Sequence, residues 1–168
     1  VIMPVLPNYK AVCVVQKDLK TGCIPAAIEW MLRYKKIGGI NLDEFQGQFD
    51  LLKRRIADNN FSTIPTEVMK AYPHVKLEQK VFQTGKEKLA FVETAISQQV
   101  PCLLSIAQNP RGGDWHIVPV VEIDGQDVKA LWLNDADIGK QIAVFTRAGL
   151  EHMHDKWEGG QDILVFAN

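Results

Sequence analysis

The chain has 168 residues, 46% of them hydrophobic and 23% charged, with a formal net charge of −1; at this length a chain buries roughly 70% of the surface its unfolded form exposes and needs no disulfide or metal staple. So balanced a charge offers no field to nucleic acid or to an anionic membrane surface, and no stretch approaches the ~18 consecutive apolar residues of a membrane span. The three cysteines, an odd number, argue against a closed disulfide framework and suit reduced thiols in a reducing compartment.

The opening VIMPVLPNYK is short and carries two prolines, so it does not read as a signal peptide. Its first residue is not Met, which fits a trimmed or processed chain and leaves a removed export segment open. Residues 11–16 read as a short strand or extended segment, and Cys13 in AVCVV as a small buried hydrophobe. From Cys23 to about Lys36 the residues suit a helix. Pro25 is tolerated in its first turn, and Ala26, Ala27, Ile28, Trp30, Met31 and Leu32 surround most of the cylinder, so this helix is expected to be buried. Gly38 and Gly39 are expected to end it.

Asn41 and Glu44 resemble a capping pair for a second helix reaching about Asp58, with Leu42, Phe45, Phe49, Leu52 and Ile56 on one side. NNFST is a loop, and Thr63 caps a short helix from Pro65 to Tyr72. VKLEQKVF alternates as a strand, and GKEKLAFVETAISQQ places Leu89, Val92 and Ile96 at helical spacing. VPCLLSIA, which holds Cys102, reads as a buried strand and NPRGGD as a loop. WHIVPVVEI and VKALWL flank the turn DGQD as a hairpin. QIAVFT reads as a strand, RAGLEHMHDKW as a helix and DILVFA as a closing strand. There is no repeat and no linker. A mainly helical front half and a mainly stranded back half predict an α+β fold with an antiparallel sheet, as one domain over residues 1–168.

Cys23 stands apart from the other thiols. It sits at a predicted helix N-terminus, where unpaired N–H groups and the helix dipole favour an anion, and Gly22 before it leaves room for a substrate. A thiolate nucleophile needs its pKa lowered from about 8.5, and it needs a base. Of the four histidines, His116 opens the strand IVPVVEI at the edge of a turn-rich loop, where it can face a cleft. His74 reads as a solvated loop residue. His152 and His154 form H-x-H, a spacing that suits a metal on a strand but does not share a face on the helix expected there. Asn134 and Asp135 end the return strand of the hairpin, which brings them back beside His116. Either could accept the Nδ1–H of the histidine and fix its tautomer. Gln16 could add a side-chain donor to the Cys23 N–H in an oxyanion hole.

In this chain order, the stretches Q…GCIPAAIEWML, WHIVPVVEIDG and VKALWLNDAD resemble the papain-like cysteine peptidases, and within them the bacterial C39-type, which include bacteriocin-processing domains. The resemblance spans residues 16 to about 137. It implies a papain-like fold with the nucleophile at a central helix N-terminus, Cys23 as nucleophile, His116 as general base and acid, and Gln16 in the oxyanion hole. It implies Asp135 as the orienting residue, with Asn134 as the alternative. No metal and no cofactor are implied; the partner is a peptide or protein substrate.

Three functions fit these residues. One is hydrolysis of a peptide or isopeptide bond through an acyl-enzyme. A second is acyl transfer, transglutaminase-like, with an amine in place of water. A third is peptide binding by an inactive C39-like domain. Trp115 and Trp132 could line a cleft or pack in the core, and Arg111 and Asp114 could meet substrate or lie in a solvated loop. Oligomeric state is not legible.

Overall fold

In the computed structural model the described residues are 4–17, 23–48, 63–109, 114–157 and 163–167. The apolar run CIPAAIEWMLRY folds as helix α1, Cys23–Tyr34, and buries every residue from Ile24 to Leu32. Pro25 falls inside the first turn, where its missing N–H costs nothing. The helix ends before the glycines. Lys36 takes a positive φ of 53°, and the Ile37 N–H closes onto the Leu32 carbonyl at 3.0 Å. The second predicted helix is seen at 45–48, with Phe45 fully buried; its continuation to Asp58 lies outside the described residues.

Next come α2, Ile64–Ala71, β1, Leu77–Lys80, and α3, Gly85–Ser97. The Thr84 hydroxyl caps α3 by accepting the Glu87 N–H at 3.2 Å. The back half supplies β2, Cys102–Asn109, β3, Asp114–Asp124, β4, Asp127–Leu131, the short helix α4, Ile138–Gln141, β5, Ile142–Thr146, α5, Arg147–Trp157, and β6, Ile163–Phe166. The strands form one six-stranded sheet in the order β1-β6-β2-β3-β4-β5, every pair antiparallel. β3 and β4 make the expected hairpin, and Gly125 supplies the positive φ of 55° that its tight turn requires. QIAVFT is corrected in one respect: Gln141 belongs to α4, and only Ile142 onward is strand.

Alternation along the strands sorts side chains between two cores. Leu103, Ile117 and Leu164 pack with Ile24, Ala27, Ile28 and Met31 of α1 and with Ile64 and Val68 of α2. Leu104, Ile106, Val118, Val120 and Ile163 belong to the other core, with Leu89, Val92 and Ile96 of α3. β3 carries a bulge between Val120 and Glu122. The extra residue, Val121, accepts the Leu6 N–H at 2.8 Å through its carbonyl, which ties the N-terminal segment to the sheet.

Residues 12–17 are extended but pair in no strand. Their side chains alternate, with Val14 and Gln16 buried and Cys13 and Lys17 exposed. Cys13 is therefore a surface thiol and not the buried hydrophobe its apolar neighbours suggest, whereas Cys102 is buried as expected.

α3 and α5 meet at Gly85. A Cβ there would stand 2.5 Å from Glu151 Cα and 2.8 Å from its carbonyl carbon, and the Gly85 N–H donates to Asp155 at 2.7 Å. Backbone cannot yield as a flexible side chain does, so Gly85→Ala should destabilise the fold by about 1–3 kcal/mol. Urea unfolding should show a lower midpoint at unchanged slope; an unchanged midpoint would remove this close approach.

Candidate active site

Cys23 is the first residue of α1, half-buried and in no disulfide, and it packs against the α1-side core. The next residue, Ile24, shares that core with Ile117, the neighbour of His116 on β3. Helix α1 therefore packs on the face of the sheet that Ile117 presents.

His116 is 8% exposed. Its cross-strand partner is Ile106, and its ring stacks on Trp132 with centroids 4.2 Å apart and planes inclined by 19°. Ile106 and Trp132 both belong to the α3-side core, so the ring is turned onto Trp132. Burial lowers its pKa from 6.5 to about 4, because desolvation disfavours the imidazolium. At neutral pH the ring is an uncharged base.

Asn134 is exposed and Asp135 half-buried in the turn after β4. Asp135 Oδ1 accepts the Asp137 N–H at 2.8 Å, and Asp137 Oδ1 caps α4 by accepting the Gly139 N–H at 2.9 Å. Neither Asn134 nor Asp135 hydrogen-bonds to His116 among the described residues. Gln16 is buried, and its backbone N–H donates to the Leu133 carbonyl at 2.6 Å, one residue before Asn134. The structure therefore brings Gln16, the 132–135 segment and His116 to one end of the sheet, whereas the His116 ring faces the α3-side core and Cys23 packs on the α1-side core. Gly22 lies outside the described residues. Trp115 lies on β3 beside His116.

Two polar anchors were not foreseen. The buried Gln46 donates to the Val15 carbonyl at 2.9 Å and to Glu29 Oε1 at 3.2 Å, and accepts the Lys17 N–H at 2.9 Å. Glu29, on α1, also binds Arg33 at 2.9 Å. The fully buried Gln141 donates through Nε2 to the Val14 carbonyl at 2.9 Å and the Asp135 carbonyl at 2.6 Å. Both residues hold the segment that carries Gln16. A glutamine at the border of an apolar run is the only trace either leaves in the sequence.

Two clefts lined by described residues, of about 890 and 290 Å³, open beside this segment. Cys13 lines both, and Gln16 lines the smaller. Of the remaining histidines, His74 is exposed, with Nε2 2.8 Å from the Gly38 carbonyl oxygen. His154 is buried against Lys88 and lies 3.1 Å from the Phe82 carbonyl oxygen. No cluster that could hold a metal ion occurs among the described residues, and no helix among them is long and apolar enough to cross a membrane.

Among solved structures, a candidate C39-like peptidase from Bacillus anthracis matches with a TM-score of 0.66 and 13% identity, over 100% of this chain and 98% of that one. The Pseudomonas avirulence protein AvrPphB matches at a TM-score of 0.38 and 10% identity, over 94% and 97% of the two chains. No protein-family model matches the sequence, and no curated protein matches it. The chain has the α+β fold of that C39-like peptidase.

The buried imidazole has a consequence for stability. Between pH 6.5 and about 4 the unfolded chain holds a proton on His116 that the folded chain lacks, so stability rises with pH across this window. Relative to His116→Leu, wild type should lose up to about 3 kcal/mol on acidification through it. Urea unfolding of both proteins at a series of pH values reads the difference; a pH-independent difference would contradict the burial of this ring.

Proposed function

We propose that this chain is a thiol hydrolase, a single papain-like domain over residues 1–168 that cleaves a peptide or isopeptide bond through an acyl-enzyme. The observation that supports the reading is the position of Cys23 as the first residue of the buried helix α1, which packs through Ile24, Ala27 and Ile28 on the core that includes Ile117 of β3, the strand that carries His116. The C39-like fold supports it.

In this reading Cys23 is the nucleophile and His116 the base. For this the ring must leave Trp132, and such contacts commonly tighten only in the substrate complex. Imidazole takes the thiol proton, and the thiolate attacks the carbonyl carbon. The Cys23 N–H and the Gln16 amide bind the oxyanion. The imidazolium then protonates the leaving amine as the carbon–nitrogen bond breaks and the thioester remains. Water, deprotonated by His116, attacks the thioester and releases the acid and the thiol. Asp135, already held by the Asp137 N–H, orients the imidazolium, with the more exposed Asn134 as the alternative. Gly22 leaves room for the chain being cut, and Trp115, beside His116, contacts it.

The test is alkylation by iodoacetamide near pH 6, resolved by mass spectrometry. Cys23 should label at least about tenfold faster than Cys13. Cys102, buried with its thiol pushed up to about 12, should label only after unfolding. His116→Ala should slow the Cys23 reaction and lower turnover of a cleaved peptide by about 10²–10⁴-fold, and Cys23→Ala should abolish that turnover. Equal labelling of Cys13 and Cys23 overturns the activation, and a reactive Cys23 with no cleavage across a peptide library leaves a binding domain.

A further inference from the structure

Gln141 is joined at three points to two segments that carry candidate site residues, 12–17 and 132–135. Its Nε2 donates to the Val14 carbonyl, two residues before Gln16, and to the carbonyl of Asp135. Its own backbone carbonyl accepts the Trp132 N–H at 2.7 Å, and Trp132 is the plane on which His116 stacks. Two carbonyl acceptors meet one end of the amide, so that end must be the NH₂; the opposite orientation would set oxygen against oxygen. The other end, Oε1, is buried with no hydrogen-bond partner among the described residues. An unpaired buried acceptor costs about 1–3 kcal/mol. Such a group is a poor choice for stability alone, yet its two donors cross-link segments 127 and 6 residues away in sequence.

We infer that Gln141 is the positioning residue of the candidate site: its buried amide locks the Gln16 segment to the Asp135 turn, and its main-chain carbonyl holds Trp132 beneath His116. The inference rests on the thiol-hydrolase reading for its catalytic meaning but not for its geometry. Gln141 touches neither thiol nor imidazole; it acts through the segments it joins. The donors are lost in Gln141→Met, which keeps the length and most of the volume of the side chain. The turn then loosens, Trp132 shifts, and the imidazole gains water.

The experiment compares the full-length wild type, Gln141→Met and Gly85→Ala, the last a destabilised control remote from these segments. NMR titration reads His116, and iodoacetamide reads the rate at Cys23 relative to Cys13 in the same sample. In wild type His116 should titrate near 4. In Gln141→Met its midpoint should move toward 6.5 by about one pH unit or more, and the Cys23-to-Cys13 rate ratio should fall about tenfold. Gly85→Ala should change neither. If Gln141→Met leaves the His116 midpoint where Gly85→Ala leaves it, the inference is overturned. Should Gln141→Met not fold, Gln141→Asn keeps the amide one methylene shorter and reaches only one of the two carbonyls; an unmoved His116 there overturns the inference as well. A wild-type Cys23 no faster than Cys13 would sink the thiol-hydrolase reading instead, and the His116 midpoint alone would then decide the role of Gln141.

Discussion

The burial of α1 against β2 and β3 is the constraint on which the rest depends. A helix with every residue from Ile24 to Leu32 buried cannot lie on a surface. It needs the sheet on one side and a second layer on the other, supplied by α2, Phe45 and the N-terminal segment. Each fully buried Ile, Leu or Met on it contributes about 1.5–3 kcal/mol, and together they fix the helix in rotation and along its axis. That fixes its first residue. Ile24, Ala27 and Ile28 share a core with Leu103 and Ile117, so the placement of the helix-terminal Cys23 follows from apolar packing.

Polar bonds do the finer placement. The segment 12–17 crosses the molecule without strand partners, so its peptide groups must find others. Gln46 takes the Val15 carbonyl and the Lys17 N–H, Gln141 takes the Val14 carbonyl, and Leu133 accepts the Gln16 N–H. These anchors come from both flanks and hold the segment on two sides, with the side chain of Gln16 buried between them. Glu29 extends the tie to α1 through Gln46 and Arg33. Helix α1, the Gln16 segment and the hairpin end are linked by a few side-chain amides of buried residues, where such bonds are stronger than in water.

Most elements were legible because their cause is local. The apolar cylinder of α1, the alternation of β3 and the tight turn at Gly125 are written within a few residues of where they act. What was not legible is long-range. AVCVV looks like a buried strand, yet the segment pairs in no strand, and its side chains simply alternate. The parity of Val14 and Gln16 predicts their shared burial and puts Cys13 outside, a pattern present in the sequence but outweighed by the apolar character of the run. Gln141 reads as the first residue of a strand because nothing nearby reveals that Val14, 127 residues earlier, needs a donor. The order of Cys23, His116 and Asp135 was legible as a resemblance; that His116 rests on Trp132 instead of on the hairpin turn depends on rotamer choice within a packed interior, which no spacing rule encodes.

That resting stack also sets the chemistry open to the ring. An imidazole with a pKa of about 4 is a weak acceptor for a thiol proton of ordinary pKa, and the mismatch amounts to about 6 kcal/mol. The stack adds about 0.5–1.5 kcal/mol to the burial of the ring. Desolvation, the cause of the lowered pKa, ends when the ring reaches solvent. In the proposed hydrolase, a ring that moves toward the α1 N-terminus gains the thiolate and the Asp135 carboxylate as partners, and its basicity rises. The buried position is then a neutral resting state, and under that proposal Trp132, through the plane it offers His116, sets the energy from which the reaction starts.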